Sequence, residues 1–510
     1  METQISNNKK IAKNTMYLYI RTLIVLGISL YTSRVVLQVL GAEDLGIYNV
    51  VGGIVSLMSF FQAAQTKATS RFLTYELGKK SDQATLRNVF SVCMTIHILI
   101  AFICVILGET IGLWIITNWT EIPIERQNAA MWVYQFALIA FCLQIVRVPY
   151  DSVVVAHERM GMYAYMSIIE VILQLGIVLL LMVTTGDSLI YYSVSVAFIA
   201  FVLCLCYYIY VRTNFKEYHY EPIWDKKYSI SVLSFSGWTL LGAGANTATQ
   251  QGVSLLMNNF VGLVANAALG FAGQVNIAVS KFVNGFSTAF TPQIIKLYAQ
   301  NNNQALNSLI NRASKFSFAL CYIMALPLII NMDFVLHLWL GNNVPQYTLE
   351  FCQLILVCTI FDATTGVYNT TVTATGNIKA YQVCITISFL LDLLFSSILL
   401  LLNVHPAIVF GSRIITRGFI NMFIGLYFLN NYIGFSINSY FANVLRGIIV
   451  TLFATVIPVL IISHFTEGWI RVFSTSIMST LIIAICVVYV VMTKNERSVI
   501  LNKIKAKIHG

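Results

Sequence analysis

Apolar runs of about 20 residues, separated by short polar breaks, recur from one end of the chain to the other. That is the length a helix needs to cross ~30 Å of hydrocarbon. Fourteen such runs can be drawn, near 15–40, 44–66, 89–116, 129–150, 163–184, 188–211, 229–258, 262–288, 313–336, 348–374, 380–402, 407–428, 446–465 and 471–493. Lipid cannot hydrogen-bond a backbone, so open-chain spans must be helices. The pattern predicts an all-α polytopic membrane protein with about 14 transmembrane helices.

The pattern also repeats. Span four ends in PYDSVVVAHERMGMYAY from Pro149, and span ten in YNTTVTATGNIKAYQ from Tyr368. In each, an alanine (Ala156, Ala374) lies seven residues before a tyrosine (Tyr163, Tyr381) that opens the next span. Span two exits through TSRFLTYELGKKSDQATL and span eight through TPQIIKLYAQNNNQALNSL. Spans one to six thus return as spans seven to twelve. Six is an even number, so the copies share one orientation and form parallel lobes. The division this predicts is an N-lobe at 1–228, a C-lobe at 229–428, and an appendix of two helices with a basic tail at 429–510. The stretch RTNFKEYHYEPIWDKK (212–227) joins the lobes.

Composition agrees. The chain is 58% hydrophobic and only 10% charged, far below the ~25% charged content of soluble proteins. Lysines and arginines gather at the N-terminus, after even-numbered spans and in the tail, with only Arg126 and Arg471 on the opposite side. The positive-inside rule then places both termini in the cytoplasm. The net charge of +10 reports this topology and calls for no nucleic acid. The polar, basic start leads straight into a span, with no cleavage signature expected. The ten cysteines fall in apolar runs without metal-ligand spacing, which reads as small apolar packing.

Two parallel six-helix lobes, the GAEDLG break after span one and the AHERMGMYA turn between spans four and five resemble the oligosaccharide-flippase branch of the multidrug/oligosaccharidyl-lipid/polysaccharide exporter superfamily. That superfamily also holds the MATE drug antiporters and lipid II flippases. The resemblance covers nearly the whole chain. It implies a MATE-like pair of bundles around a central cavity opening alternately to each side. It also implies a bacterial cytoplasmic-membrane location and a lipid-linked oligosaccharide, a polyprenyl-pyrophosphate glycan, as substrate in O-antigen or other surface-polysaccharide assembly.

An embedded charge costs roughly 3 kcal/mol or more unless it meets water or a partner, so the charged residues inside spans are the candidates for chemistry. Arg21 and Arg147 lie near cytoplasmic ends, where snorkelling can place them among headgroups. Gln274, Lys281, Asn284 and Thr288 form one polar stripe on span eight, and Asn246, Gln250, Ser254 and Asn258 recur every four residues on span seven. These stripes face either a cavity or each other. Arg413 and Arg417 share a face of span twelve with Asn421, and two like charges at that spacing repel unless an anion joins them. Arg34, in the outer third of span one, is either a cationic lip for a phosphate-bearing lipid or the partner of Glu43 and Asp44. The expected substrate-binding cations are Arg34, Lys281, Arg413 and Arg417. Glu170, Asp362 and Asp392 either bind a coupling H⁺ or Na⁺ or pair with those cations. His97 reads as a hydrogen-bonded helix contact.

No GxxxxGK[ST] loop is present, which argues against direct ATP use. A glycan polymerase would need a large loop carrying acids and arginines, and every loop here is short. The expectation is a transporter without cofactor, working as a monomer. A MATE-like cation-coupled drug exporter is the alternative, and it would favour an acid-lined cavity over a basic one.

Overall fold

The computed structural model describes residues 2–56, 58–119, 122–341, 344–491 and 497. Lys494, Lys503, Lys505 and Lys507 of the basic tail lie outside the described residues, as do the side chains of Lys9, Lys10 and Glu43. All regular structure among the described residues is helical.

Eleven of the described helices are long and apolar enough to cross a membrane. Two more, Lys226–Phe260 and Leu263–Ala299, have 35 and 37 residues, which at about 1.5 Å per residue exceeds the hydrocarbon thickness. The second expected span is built differently from its sequence reading. The first helix, Glu2–Ser56, turns at Gly41 (φ 76°, ψ 175°), a left-handed backbone that glycine adopts without steric cost. GAEDLG is therefore a kink rather than a loop. The apolar piece Asp44–Val55 follows it, and the polar exit continues as the helix Ser59–Lys79.

Helix ends follow their local sequence. Asp187 accepts from the amides of Leu189 at 3.1 Å and Ile190 at 3.4 Å, as an N-cap should. Asn302 caps Asn303–Ile330 through the amide of Ala305. Gly376 and Gly434 close their helices in the left-handed region, where C-cap glycines are favoured.

The chain divides into two compact units, Met1–Ala243 with Thr291–Gln300, and Gly244–Phe290 with Asn301–Gly510. The first has its core in residues such as Val51, Val133, Tyr134 and Ile145. The second has its own around Met257, Cys321, Phe351 and Leu356. Within the second unit the last helices dock on Asn303–Ile330. Asn331 Nδ2 donates to Thr475 Oγ1 and Arg471 Nη2 to the Ile330 carbonyl, both at 2.8 Å.

In the first unit a clasp holds the polar linker. Arg87 Nη1 meets Glu221 Oε1 at 2.9 Å and Asn88 Nδ2 donates to Asp225 Oδ2 at 2.9 Å. These hydrogen bonds, from Arg87 and Asn88 first, hold both carboxyls below the usual carboxylate range. Depressed acids stabilise the folded form above their ordinary pKa and lose that contribution as pH falls through the lowered value. Amide-exchange protection over 216–225, corrected for intrinsic rates, should therefore persist at neutral pH and fall below about pH 4. Arg87→Gln should weaken it already at neutral pH.

Candidate functional site

The helices Lys226–Phe260, Leu263–Ala299, Thr348–Thr375, Lys379–Leu401 and the segment Pro406–Ile433 enclose a cavity of about 780 Å³ within the second unit. Two of its lining residues, Arg413 and Arg417, belong to a charge cluster. Asp392, fully buried, takes Arg417 Nε on Oδ2 at 2.9 Å and the Thr416 hydroxyl on Oδ1 at 2.8 Å. Arg413 Nε stands 3.3 Å from the same Oδ2. Arg417 Nη1 donates to Asn246 Oδ1 at 2.9 Å. Each guanidinium also covers a ring, Arg413 over Phe410 at 5.1 Å and Arg417 over Phe389 at 4.9 Å.

Local backbone sets this up. The segment Pro406–Ile433 passes through a π-helical stretch, Ile414–Phe419, which carries Arg417 and adds a residue to the turn, a departure common at functional sites. At the same level Gly418 admits Phe361, whose Cγ would stand 3.1 Å from a Cβ placed there.

The like-charge conflict read from the arginine spacing is therefore met inside the protein, by Asp392. Of the two roles left open for that carboxylate, pairing is the one its geometry displays. The pairing is incomplete: Arg417 Nη2 and Arg413 Nε are buried without a hydrogen-bond acceptor. A buried donor left unsatisfied costs ~1–3 kcal/mol, more when charged. Both arginines line the cavity, so their side chains are available to a ligand there.

Asp362 lines the same cavity, exposed to it and within electrostatic reach of both arginines. Asn246, Gln250 and Ser254 of the span-seven stripe line it as well, as does Asn421, which accepts from Ser388 at 2.6 Å. Asn276, Asn369, Tyr381 and Gln382 join them and were missed as site residues. The repeat held a signal for two of these, since Tyr368-Asn369 and Tyr381 fall in register with Tyr150-Asp151 and Tyr163.

Other expected site residues lie elsewhere. Gln274, Lys281 and Asn284 are exposed and are not among the residues lining this cavity. The cavity instead meets the Leu263–Ala299 helix at Leu269, Gly270, Gly273 and Asn276. Arg34 is exposed, and Asp44, expected beside it, binds Arg126 instead, with Asp187 on the far side of that guanidinium at 2.7 Å. Glu170 is half-buried near Arg147, which pairs with Asp151 at 3.3 Å. His97 is fully buried with Nδ1 2.8 Å from the Cys93 carbonyl of its own helix.

The profile described as MatE matches residues 243–398. No curated protein matches the chain. Solved structures do. A crystal structure of MATE in the straight conformation superposes with a TM-score of 0.72 at 12% identity, covering 84% of this chain and 97% of that one. MATE in the bent conformation gives 0.67 at 13%, over 82% and 93%. The Vibrio cholerae MATE transporter VcmN in the bent form gives 0.67 at 14%, over 85% and 97%. These superpositions establish a MATE-like fold. The profile described as polysaccharide biosynthesis protein matches residues 11–298, more than half the chain, and the protein belongs to that family of membrane transporters.

Proposed function

We propose that the protein flips a lipid-linked oligosaccharide, a polyprenyl-pyrophosphate glycan, from the inner to the outer leaflet of a bacterial cytoplasmic membrane for surface-polysaccharide assembly. The observation carrying this reading is the Arg413–Arg417 pair, two cations lining one polar cavity. Guanidinium binds phosphate oxygens in bidentate fashion. Asparagine and glutamine side chains around it suit sugar hydroxyls. The family match over 11–298 supports the glycan class. Both termini are assigned to the cytoplasm. Arg34 and Lys281, exposed on their helices, would meet the substrate outside this cavity.

One observation favours a second reading. Asp362 places a carboxylate on the same cavity, as a cation-coupled drug exporter would. Under the first reading, Asp362 is the residue for a coupling H⁺ or Na⁺, because Asp392 is already engaged by two arginines.

The test is restoration of surface glycan in a strain lacking the gene, with protein abundance checked by immunoblot. Arg417→Gln removes a charged contact with the phosphate and should lower export about tenfold or more. Arg417→Lys keeps the charge without the fork and should export at an intermediate level. Normal export by Arg417→Gln and Arg413→Gln at normal abundance would reject the assignment. Wild-type resistance to a cationic dye, lost in Asp362→Asn while glycan is unchanged, would favour the second reading.

A further inference from the structure

A second cavity, of about 640 Å³, lies in the first unit between the N-terminal helix and the turn that joins Gln127–Ala156 to Met160–Leu181. It is lined by Lys13, Asn14 and Tyr17 from the first and by residues 157–162 of the second, with Tyr165 and Tyr210 beside them. This is the AHERMGMYA turn, which the flipping mechanism leaves without a role.

Three features converge there. The amides of Met160, Gly161 and Met162 open a helix of 22 residues, and its N-cap, Arg159, supplies no side-chain cap. The first amides of a helix have no acceptor within it, and together with the macrodipole they form an anion site. Asn14 is only 6% exposed, lines the cavity, and its Nδ2 has no hydrogen-bond acceptor. Lys13 and Arg159, both exposed, bring two cations to the same cavity.

One acid lines it too, but it is turned to other work. Glu158 is 4% exposed, with Oε2 taking Gln293 Nε2 and Oε1 taking Lys296 Nζ, both at 2.6 Å. His157 is occupied by Tyr218, Nε2 to hydroxyl at 3.1 Å. Each remaining polar side chain can donate a hydrogen bond or carries positive charge, so the cavity suits an anion.

We propose that this cavity binds a phosphate group, carried by a membrane lipid. The surface beside the cavity supplies the reason for a lipid. Met16 and Ile20, one turn apart on the N-terminal helix, are 54% and 47% exposed, and Tyr165 is 60% exposed. A lipid phosphate seated among Lys13, Asn14 and the Met160–Met162 amides would leave its chains along that apolar face, with tyrosines at the interface where they are favoured. The cavity is separate from the one holding Arg413 and Arg417, so this proposal stands or falls independently of the transported substrate.

The test uses the full-length protein purified in detergent and titrated with dioleoylphosphatidylglycerol, bound lipid being counted by native mass spectrometry. Wild type should hold one lipid about tenfold more tightly than Asn14→Asp, a nearly isosteric change that puts an anion in the anion site. Arg159→Gln, a change at an exposed position, should weaken it in the same direction, and Arg159→Lys should recover most of the loss. A parallel arm replaces the lipid with millimolar inorganic phosphate and follows thermal stability. Protection by lipid alone identifies a lipid-borne phosphate. Equal protection by inorganic phosphate, lost in the same variants, keeps the phosphate site and assigns it to a free anion. Identical lipid binding in wild type, Asn14→Asp and Arg159→Gln would overturn the proposal.

Discussion

Asp392→Ala should cost the protein about 3–5 kcal/mol, the loss expected when one partner of a buried ion pair is removed and the other stays charged. The reason is its position. Asp392 is wholly buried and meets Arg417 Nε at 2.9 Å and Arg413 Nε at 3.3 Å through one oxygen. Without it, two neighbouring guanidinium groups lose their shared carboxylate, and Asp362 is left to offset them from within electrostatic reach. Asp392→Asn should be milder, since its carbonyl oxygen still accepts from Thr416 or Arg417. The charge argument makes a sharper prediction for the double variant. Two arginines and two aspartates balance, and Asp392→Asn leaves one excess positive charge. Adding Arg417→Gln restores neutrality, so Asp392→Asn/Arg417→Gln should be more abundant and more monodisperse than Asp392→Asn alone. The measure is the fraction surviving detergent extraction and a heating series. If the double variant is the worse of the two, Asp392 acts through packing and not through charge.

The elements of this fold were legible because a membrane makes their signal simple. A run of about 20 apolar residues has few other uses, and positive charge marks the polar breaks. The site was legible only in part. Arg413 and Arg417 announced themselves by depth and spacing, and Asn246 and Gln250 by their four-residue period. What joins them to Asp392 is a contact across two helices, and the π stretch Ile414–Phe419 that shapes it has no hydrophobic period to betray it. Lys281 shows the converse. Its stripe was real as a pattern on one helix, but which face lines a cavity is decided by neighbouring helices, and the lining face here is the glycine-rich one around Gly270 and Gly273. Glu43 and Asp44 begin the helix that follows Arg34, which made an ion pair with it one of its two readings. Arg126, distant in sequence, binds Asp44 instead, since the kink at Gly41 decides where the acid points.

The span-exit motifs that exposed the repeat also meet one another. Glu158, in the turn after span four, holds Lys296 and Gln293, from the exit of span eight, and all three belong to the first unit. The grip is tight. Gly78 lies so close that a Cβ there would stand 2.8 Å from both Ala299 Cβ and Lys296 Cα. Glu158 itself sits at φ 59°, a left-handed backbone that costs a non-glycine residue roughly 1–2 kcal/mol, which the contacts around the turn must offset. Glu158→Lys should be the most damaging change in this region, costing about 3–5 kcal/mol, because it buries a second cation against Lys296. Lys296→Glu should cost less, since the lysine side chain keeps 22% exposure against 1% for its partner. The swap Glu158→Lys/Lys296→Glu re-forms an ion pair with reversed sign and should recover at least about 2 kcal/mol of the summed loss, a coupling in the range measured for contacting residues. Gln293 can present its carbonyl oxygen to the new lysine, which favours that recovery. The measurement is detergent-solubilised, monodisperse protein after graded heating, for wild type, both single variants and the swap. Strict additivity of the two single losses would show that Glu158 holds this turn through shape, and that the short distance to Lys296 carries no energy of its own.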